Sequence, residues 1–537
     1  MLASNAFMRE EEKRKPVVLI ALYDVDAFSV RTLHAVLKKD GFHVYSIFFK
    51  QLSSLNTMEY PKDYEIKALI SLLKNYNPLL VCFAVRQTYF KLIARLTQEI
   101  KREIDTKIVW GGIHPTSKPK QCIEYADIVC VGEGEEVISE LASKLSKGES
   151  IHEVKGLWFK DNGEIKSTGL RRLIQDLDSI PFPDFSNENK FLLEDGKMAQ
   201  LPKPEERTWY GIMTSRGCLM QCTFCYNSTL KPMYKDKGTF LRRRSVENVI
   251  RECLYAKQQF KNLSMIYFED DIFAYDLPWI KKFTEQYVNS INIPFWCQFF
   301  PTTTNEEIAQ LLKKAGVADM TMGVQTGSQE FRTRYYERFG TNEQIVKAAQ
   351  ILHKNNINCA FDLIMDNPLE TDYDRRETLK LLLNFPRPFR LQTHTLTYFS
   401  SAKYTQTLLD KGLISRKDIE DEKPKSYESW TPSLDLRRDN TNLFWDNLYY
   451  MTSRKYFPRK LIILLSNSKI LRRRPRSLTY LLKLTSPYIA TVNPKSKIDM
   501  IRWYLVYSLS HPARVWNFLR LKIKNFGAVS QAVQKEG

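Results

Sequence analysis

Arg216-Gly217-Cys218-Leu219-Met220-Gln221-Cys222-Thr223-Phe224-Cys225-Tyr226 places three cysteines within eight residues, directly after a short apolar run at 210–214. The spacing C-x₃-C-x₂-C lets one loop wrap three thiolates around a corner of an iron–sulfur cube, whose preferred ligands are thiolates. Three ligands for four irons leave one iron open to a chelating group. A structural zinc site is the alternative. Zinc needs four ligands, and with no fourth Cys or His in the run, only Cys253 could complete it through the fold.

Outward from this loop the chain reads as β/α units. Downstream, short β-rich runs at 210–214, 264–268, 294–299, 319–323, 358–364 and 390–396 alternate with helix-period stretches such as 246–260, 305–315 and 342–355. Six such units predict a partial (β/α)6 barrel, with its site at the carboxyl ends of the strands. Upstream, runs at 17–22, 44–49, 79–85, 108–110 and 128–131 alternate with helical patterns at 30–40, 63–75, 88–104, 119–125 and 137–147. That pattern predicts a doubly wound, flavodoxin-like parallel sheet, which binds ligands beyond the same strand ends. Gly111-Gly112-Ile113-His114-Pro115 and Gly132-Glu133-Gly134-Glu135 fall there, where glycine permits either close approach of a ligand or simply a tight turn. Residues 154–185 read as a hairpin turning at Asn162-Gly163, followed by a proline-rich connector at 180–184 and a polar stretch at 186–207. The expected domains are therefore 1–153, a hairpin and linker at 154–207, a barrel at 208–415, and a basic, mostly helical region at 416–537.

The cysteine loop, with Phe224 before its third cysteine, resembles the cluster motif of the radical S-adenosylmethionine (SAM) superfamily, and other barrel strand ends agree in order. Phe268-Glu269-Asp270-Asp271-Ile272-Phe273 resembles the second-strand motif that helps hold the SAM amino group. Met322-Gly323-Val324-Gln325-Thr326-Gly327-Ser328 resembles the fourth-strand motif, with Gln325 where relatives carry glutamate. The run 362–371 is similar to the fifth-strand G-x-P-x-E-T pattern, with Asp366 in place of the glycine. The resemblance spans about 208–412. It implies a 4Fe–4S cluster on Cys218, Cys222 and Cys225, and SAM held by Phe224, Tyr226, Asp270, Asp271, Gly323, Gln325 and Thr326. The upstream glycine loops and the 177–184 connector are similar to those of the B12-dependent class, which implies cobalamin near Gly111, Gly112, His114, Gly132, Glu133 and Gly134. The D-x-H-x-x-G signature of that class is absent, because the corresponding loop reads Tyr23-Asp24-Val25-Asp26-Ala27-Phe28, so cobalamin is expected without a protein imidazole. His34 and His43 read as helix-surface or turn residues. The resemblance implies methyl transfer to an unactivated carbon, fed by a reductant such as flavodoxin or ferredoxin. A ring-forming, C–C bond-forming or rearranging radical enzyme is the alternative, and a sensor without turnover a more remote one. The cofactors carry the hard chemistry in such enzymes.

Charge is the remaining signal. The 537 residues carry +19, yet 451–537 alone hold 18 Lys/Arg against Asp499 and Glu536. Arg472-Arg473-Arg474-Pro475-Arg476 and the aromatic, basic stretch 500–526 read as a helical cap on the barrel or as helices docked on an anionic membrane, which would suit a lipid-like substrate. Nucleic acid is not expected, since no RNA-binding signature accompanies the charge. Nine cysteines in so long a chain do not read as a disulfide framework. With no secretory signal at the N-terminus and no 18-residue apolar run, a cytoplasmic location is expected.

Overall fold

The computed structural model describes residues 15–52, 58–420, 434 and 436–483. β1 (Val17–Tyr23) is buried along its whole length and is an interior strand of the first sheet. Its alternate residues serve two cores: Val17, Leu19 and Ala21 pack with helices Phe28–Lys39 and Glu135–Ser146, while Val18, Ile20 and Leu22 pack with Asp63–Tyr76 and Phe90–Glu103. A strand covered on both faces reads as a continuous apolar run, and VVLIALY is one. β2 (Val44–Gln51), β3 (Leu80–Ala84), β4 (Lys107–Gly111) and β5 (Ile128–Cys130) complete a parallel sheet in the order β5-β4-β3-β1-β2, as expected of a doubly wound fold.

Two hairpins extend this sheet. β6 (Leu157–Asp161) and β7 (Glu164–Ser167) turn at Asn162-Gly163, both at positive φ, and add antiparallel to β5. The polar stretch after the connector supplies a second hairpin. In it, β8 (Lys190–Glu194) runs parallel to β2 and β9 (Lys197–Gln200) folds back on it through Asp195-Gly196. Its strands lack apolar alternation because β9 is fully exposed, so only the Asp-Gly turn marked it. His34 is a correction. It is buried beneath this hairpin, sharing a proton-donor contact with Ser46 (2.9 Å) and lying 3.3 Å from Lys190 Nζ, and burial plus Lys190 drive its pKa down to about 3.

The second unit is the expected partial barrel: β10 (Trp209–Ile212), then, after a small ribbon of β11 (Ser215–Arg216) and β12 (Arg242–Arg243), β13 (Met265–Phe268), β14 (Phe295–Phe299), β15 (Val317–Gln325), β16 (Asn358–Met365) and β17 (Arg390–Thr395). The six barrel strands are parallel and lie in chain order. Of the basic region, the described part is a cap. Helix Asn440–Thr452 buries Phe444, Trp445, Leu448 and Met451 in the barrel's own core. Asp446 accepts from Thr393 (3.1 Å) on β17 and from Arg438 (2.6 Å), so this helix covers the last strand. The stretch 500–526 lies outside the described residues. Trp445→Ala, which empties a fully buried site, should destabilise the protein by about 3–5 kcal/mol in urea unfolding of the iron-free chain; a loss below about 1 kcal/mol would mean that the helix is only a loosely attached cover.

Candidate functional site

The cysteine loop leaves the carboxyl end of β10 through the ribbon β11/β12. Asp270, at the end of β13, is buried and accepts from the Thr214 N–H (3.2 Å), the Thr214 hydroxyl (3.0 Å) and the Ser215 hydroxyl. Gly217 sits at φ +90°, where a Cβ would lie 2.3 Å from the Phe240 carbonyl oxygen, so only glycine admits the chain here. Further on, the Thr223 N–H donates to the Tyr336 carbonyl (3.0 Å), the Cys225 N–H to the Cys222 carbonyl (2.9 Å), and Phe224 packs edge-on against Tyr336 at 4.7 Å. Tyr226 lies against Phe399 at 4.2 Å.

Burial raises the thiols, Cys218 to about 11 and Cys225 to about 12. Unmetallated, both would be inert at neutral pH; a metal makes them ligands by displacing the proton. The donor set fits a cluster better than a single ion. Tetrahedral zinc with Zn–S near 2.3 Å requires sulfurs about 3.8 Å apart. Among the described residues the only trio of potential ligands lying within 4.8 Å of one another is Glu65, Glu194 and Asp195, and Lys50 already pairs with two of them. The three cysteine sulfurs do not all lie within that distance, and Cys253 is locked in the apolar core beneath its helix, so it does not complete a four-ligand zinc site. Arg338 donates to Cys222 Sγ (3.4 Å) and to the Gly323 carbonyl (2.5 Å), joining the cysteine loop to the end of β15. No spacing marked this arginine in the sequence.

The other expected SAM contacts divide. Asp271 stands at the mouth and accepts from Asn227 (2.8 Å); Gly323 and Gln325 lie beside Arg338, the glutamine folded over the space a Gly323 side chain would need. Asp270 and Thr326 are corrections. Asp270 is consumed by the ribbon, and Thr326 is buried, its hydroxyl 3.2 Å from that of Thr378, so neither offers a free group to a ligand. Asp366 has φ +58°, which explains glycine in the resembled pattern; Thr395 (2.6 Å) and Arg438 (3.1 Å) hold its carboxylate.

The strand ends of the first sheet face this mouth. Gln87 donates to the Tyr398 carbonyl (2.9 Å) and accepts from the Ser400 N–H (2.9 Å), and Arg207 pairs with Asp26 (2.5 Å). The strand order reverses between β1 and β3, the ligand crevice of such sheets, and Asp24 and Arg86 border it 3.6 Å apart. At this junction the Ser400 and Ser401 hydroxyls are buried without a hydrogen-bond partner among the described residues, as a polar cofactor edge would require. In the glycine loops, a Cβ on Gly112 would meet the Val85 backbone at 3.1 Å, and one on Gly132 the Tyr234 hydroxyl at 2.4 Å, so packing within the protein alone favours glycine at both. Gly111 and Gly134 have ordinary clearance. His114 is buried edge-on to Phe90 (5.0 Å), its pKa lowered to about 4 by burial. Glu133 is engaged by Arg216 and Arg242.

Strand alternation sends Phe268, Met320, Met322, Phe361 and Leu391 outward to the helices, and their neighbours inward. Register places Tyr267 beside Trp296, Gln298 beside Thr321, Gly323 beside Asp362, and Asp362 beside Gln392. Arg390 closes on Asp319 (2.6 Å), and His394 lies 3.5 Å from Asp362. The inner wall is thus aromatic below and polar above. Glu269, directly after β13, stands on this side with its side chain exposed and without an ionic or hydrogen-bond partner among the described residues.

A thiolate loop at the mouth of a β/α barrel, roofed by the strand ends of a doubly wound sheet, defines a two-cofactor α/β enzyme. Residues 212–382 match the radical SAM superfamily model and residues 14–142 the B12 binding domain model. The chain thus carries a radical SAM domain together with a B12 binding domain. It is 27% identical over 337 residues to an uncharacterized methyltransferase of Pyrococcus horikoshii (59% of this chain, 67% of that protein), and 24% identical over 291 residues to the cytidylyl-2-hydroxyethylphosphonate methyltransferase of Streptomyces wedmorensis (49% and 52%). The chain thus spans between half and two thirds of these relatives' length. Among solved structures, the cobalamin-dependent SAM radical enzyme OxsB with aqua-cobalamin superposes with a TM-score of 0.61 at 17% identity, covering 96% of this chain and 82% of that one. The radical SAM methyltransferase TsrM of Kitasatospora setae gives 0.56 at 16%, covering 74% and 75%. At these identities the likeness shows the fold. No helix among the described residues is long and apolar enough to cross a membrane.

Proposed function

We propose that the protein is a cobalamin-dependent radical SAM methyltransferase acting on an unactivated carbon of a small polar molecule. The observation that carries this reading is the meeting of the cysteine loop, at the barrel's mouth, with the strand ends of the B12 binding domain. Cys218, Cys222 and Cys225 would hold a 4Fe–4S cluster, with cobalamin in the β1/β3 crevice. Bound there, the cluster supplies reductive cleavage of SAM and cobalamin supplies a methyl group.

The chain's own part is binding and exclusion of water. Arg338 donates to Cys222 and to the end of β15, tying the cluster loop to the strand that carries Gln325. Asp271 offers a carboxylate to the SAM ammonium, and Gln325 an uncharged amide. The first-sheet loop 23–28 contains no histidine, and His34 and His114 are buried elsewhere, which supports cobalamin without a protein imidazole. Glu269, Gln298, Thr321, Asp362, Gln392 and His394 on the inner wall favour a polar substrate and give a lipid-like one no support. A flavodoxin or ferredoxin would deliver electrons at the open mouth.

Anaerobically reconstituted protein with a reductant should form 5′-deoxyadenosine, and Cys218→Ala, Cys222→Ala or Cys225→Ala should abolish it, while Cys82→Ser, Cys122→Ser and Cys359→Ser retain it. Label from the SAM methyl group in product separates methylation from ring closure or rearrangement. Wild-type protein that binds a cluster yet makes no 5′-deoxyadenosine would instead be a sensor.

The exposed side chains Leu461, Ile463, Leu464 and Ile470, set among Arg459, Lys460, Lys469 and Arg473, support peripheral docking on an anionic membrane surface. Each basic residue near such a surface adds roughly 1 kcal/mol. Full-length protein should pellet with anionic but not neutral vesicles at low salt, and Leu464→Asp/Ile470→Asp should weaken this; protein left in the supernatant with both vesicle types ends that reading.

A further inference from the structure

The cysteine segment is gripped from outside its own domain. The ribbon β11/β12 closes the base of residues 217–241, and Arg216 and Arg242 are direct cross-strand partners on it. Both guanidinium groups converge on one carboxylate, Glu133, in the loop after β5. Arg216 donates to it at 3.0 Å, and Arg242 donates to both of its oxygens at 2.9 Å. Glu133 also accepts from the Ile174 N–H (2.8 Å), and Arg242 donates to the Ile174 carbonyl (2.7 Å), which fixes the carboxylate's direction. Glu135 takes the other arm of Arg216 at 2.5 Å. Gly132, at φ +101°, is where the same loop meets Tyr234 of the cysteine segment without room for a side chain. The carboxylate is largely withdrawn from water, with 16% of its side chain exposed. Charge-assisted hydrogen bonds withdrawn from water in this way, here with one Arg242 nitrogen shared between both carboxylate oxygens, are stronger than a surface pair.

We propose that Glu133 is a positioning residue for the cluster: from the B12 binding domain it holds both ends of the segment that carries Cys218, Cys222 and Cys225. Arg216 lies two residues before Cys218, so Glu133 sets the direction in which the chain enters the cluster loop. It also sets the local charge. Glu133 and Glu135 balance the two arginines, and a cluster gains negative charge on reduction. Uncompensated cations beside it therefore favour the reduced form. The assignment of charge rests on the cluster reading above; the assignment of geometry does not.

Two variants of the full-length protein test it. In iron-free protein, hydrogen exchange of peptides within 213–244 should quicken about tenfold in both Glu133→Gln and Arg242→Gln, with the β15 peptide unchanged. After reconstitution the midpoint potential of the cluster should move in opposite directions, more positive in Glu133→Gln and more negative in Arg242→Gln. Glu136→Gln, which removes an exposed pair between helix Glu135–Ser146 and Arg171, should change neither measurement. Wild-type exchange at 213–244 in both variants would overturn the positioning role, and shifts of the same sign would overturn the charge role. Should wild-type protein bind no cluster, the cluster reading fails while the exchange result still decides the geometry.

Discussion

A four-residue ribbon carries opposite obligations on its two faces, and the site depends on both being met. β11 must present the cysteine loop to the barrel's mouth while lying between two α/β units. Strand alternation turns Ser215 toward the barrel, where Asp270 receives it, and Arg216 toward the B12 binding domain, where Glu133 and Glu135 receive it. Asp270 and Glu133 are buried or nearly so, and each accepts three hydrogen bonds from the ribbon and the residue before it, which is what makes burying them tolerable. Losing one partner would leave uncompensated charge or an unpaired carboxylate at the interface, so the two domains and the loop are held as one object.

The same alternation sorts the barrel into two environments. Residues such as Met320, Met322 and Phe361 fill the space beneath the helices, where packing density decides the fold. Their neighbours Thr321, Gly323 and Asp362 face inward, where chemistry decides. Because the inner set includes Glu269 without a counter-charge, Asp362 beside His394 and Asp319 beside Arg390, the interior of the barrel favours ligands that hydrogen-bond.

Much of this was legible in the sequence. The continuous apolar runs gave the parallel strands within a residue or two, and the cysteine spacing pointed to a cluster at the end of β10. What the sequence concealed were roles set by partners far along the chain. Asp270 and Asp271 are adjacent and chemically identical, yet alternation buries one against the ribbon and leaves the other at the mouth. Glycine at 112 and 132 reads as room for a ligand, yet close packing against Val85 and Tyr234 gives a second reason for it that only the fold shows. His114 sits in a glycine-rich ligand loop but turns into the core against Phe90. Glu133 and Arg242 are 109 residues apart and meet only because the two sheets dock end to end. The second hairpin hid for a different reason: an edge strand with no buried face has no apolar period to read.

The basic region shows how one charge surplus can serve two purposes. Helix Asn440–Thr452 carries almost no charge and is nearly all buried, because it replaces a barrel helix over β17. The arginines that follow are partly spent on this cap: Arg472 pairs with Asp372 (2.8 Å) and lies over the rings of Phe444 and Trp445, and Arg454 lies over Tyr450 at 4.4 Å. Guanidinium groups suit that work, being planar enough to stack and weakly hydrated enough to approach an aromatic core. Net charge alone therefore overstates how much of the region is free to face a partner, and the exposed aliphatic side chains on helix Arg459–Ser466 mark better where an outside surface would meet it.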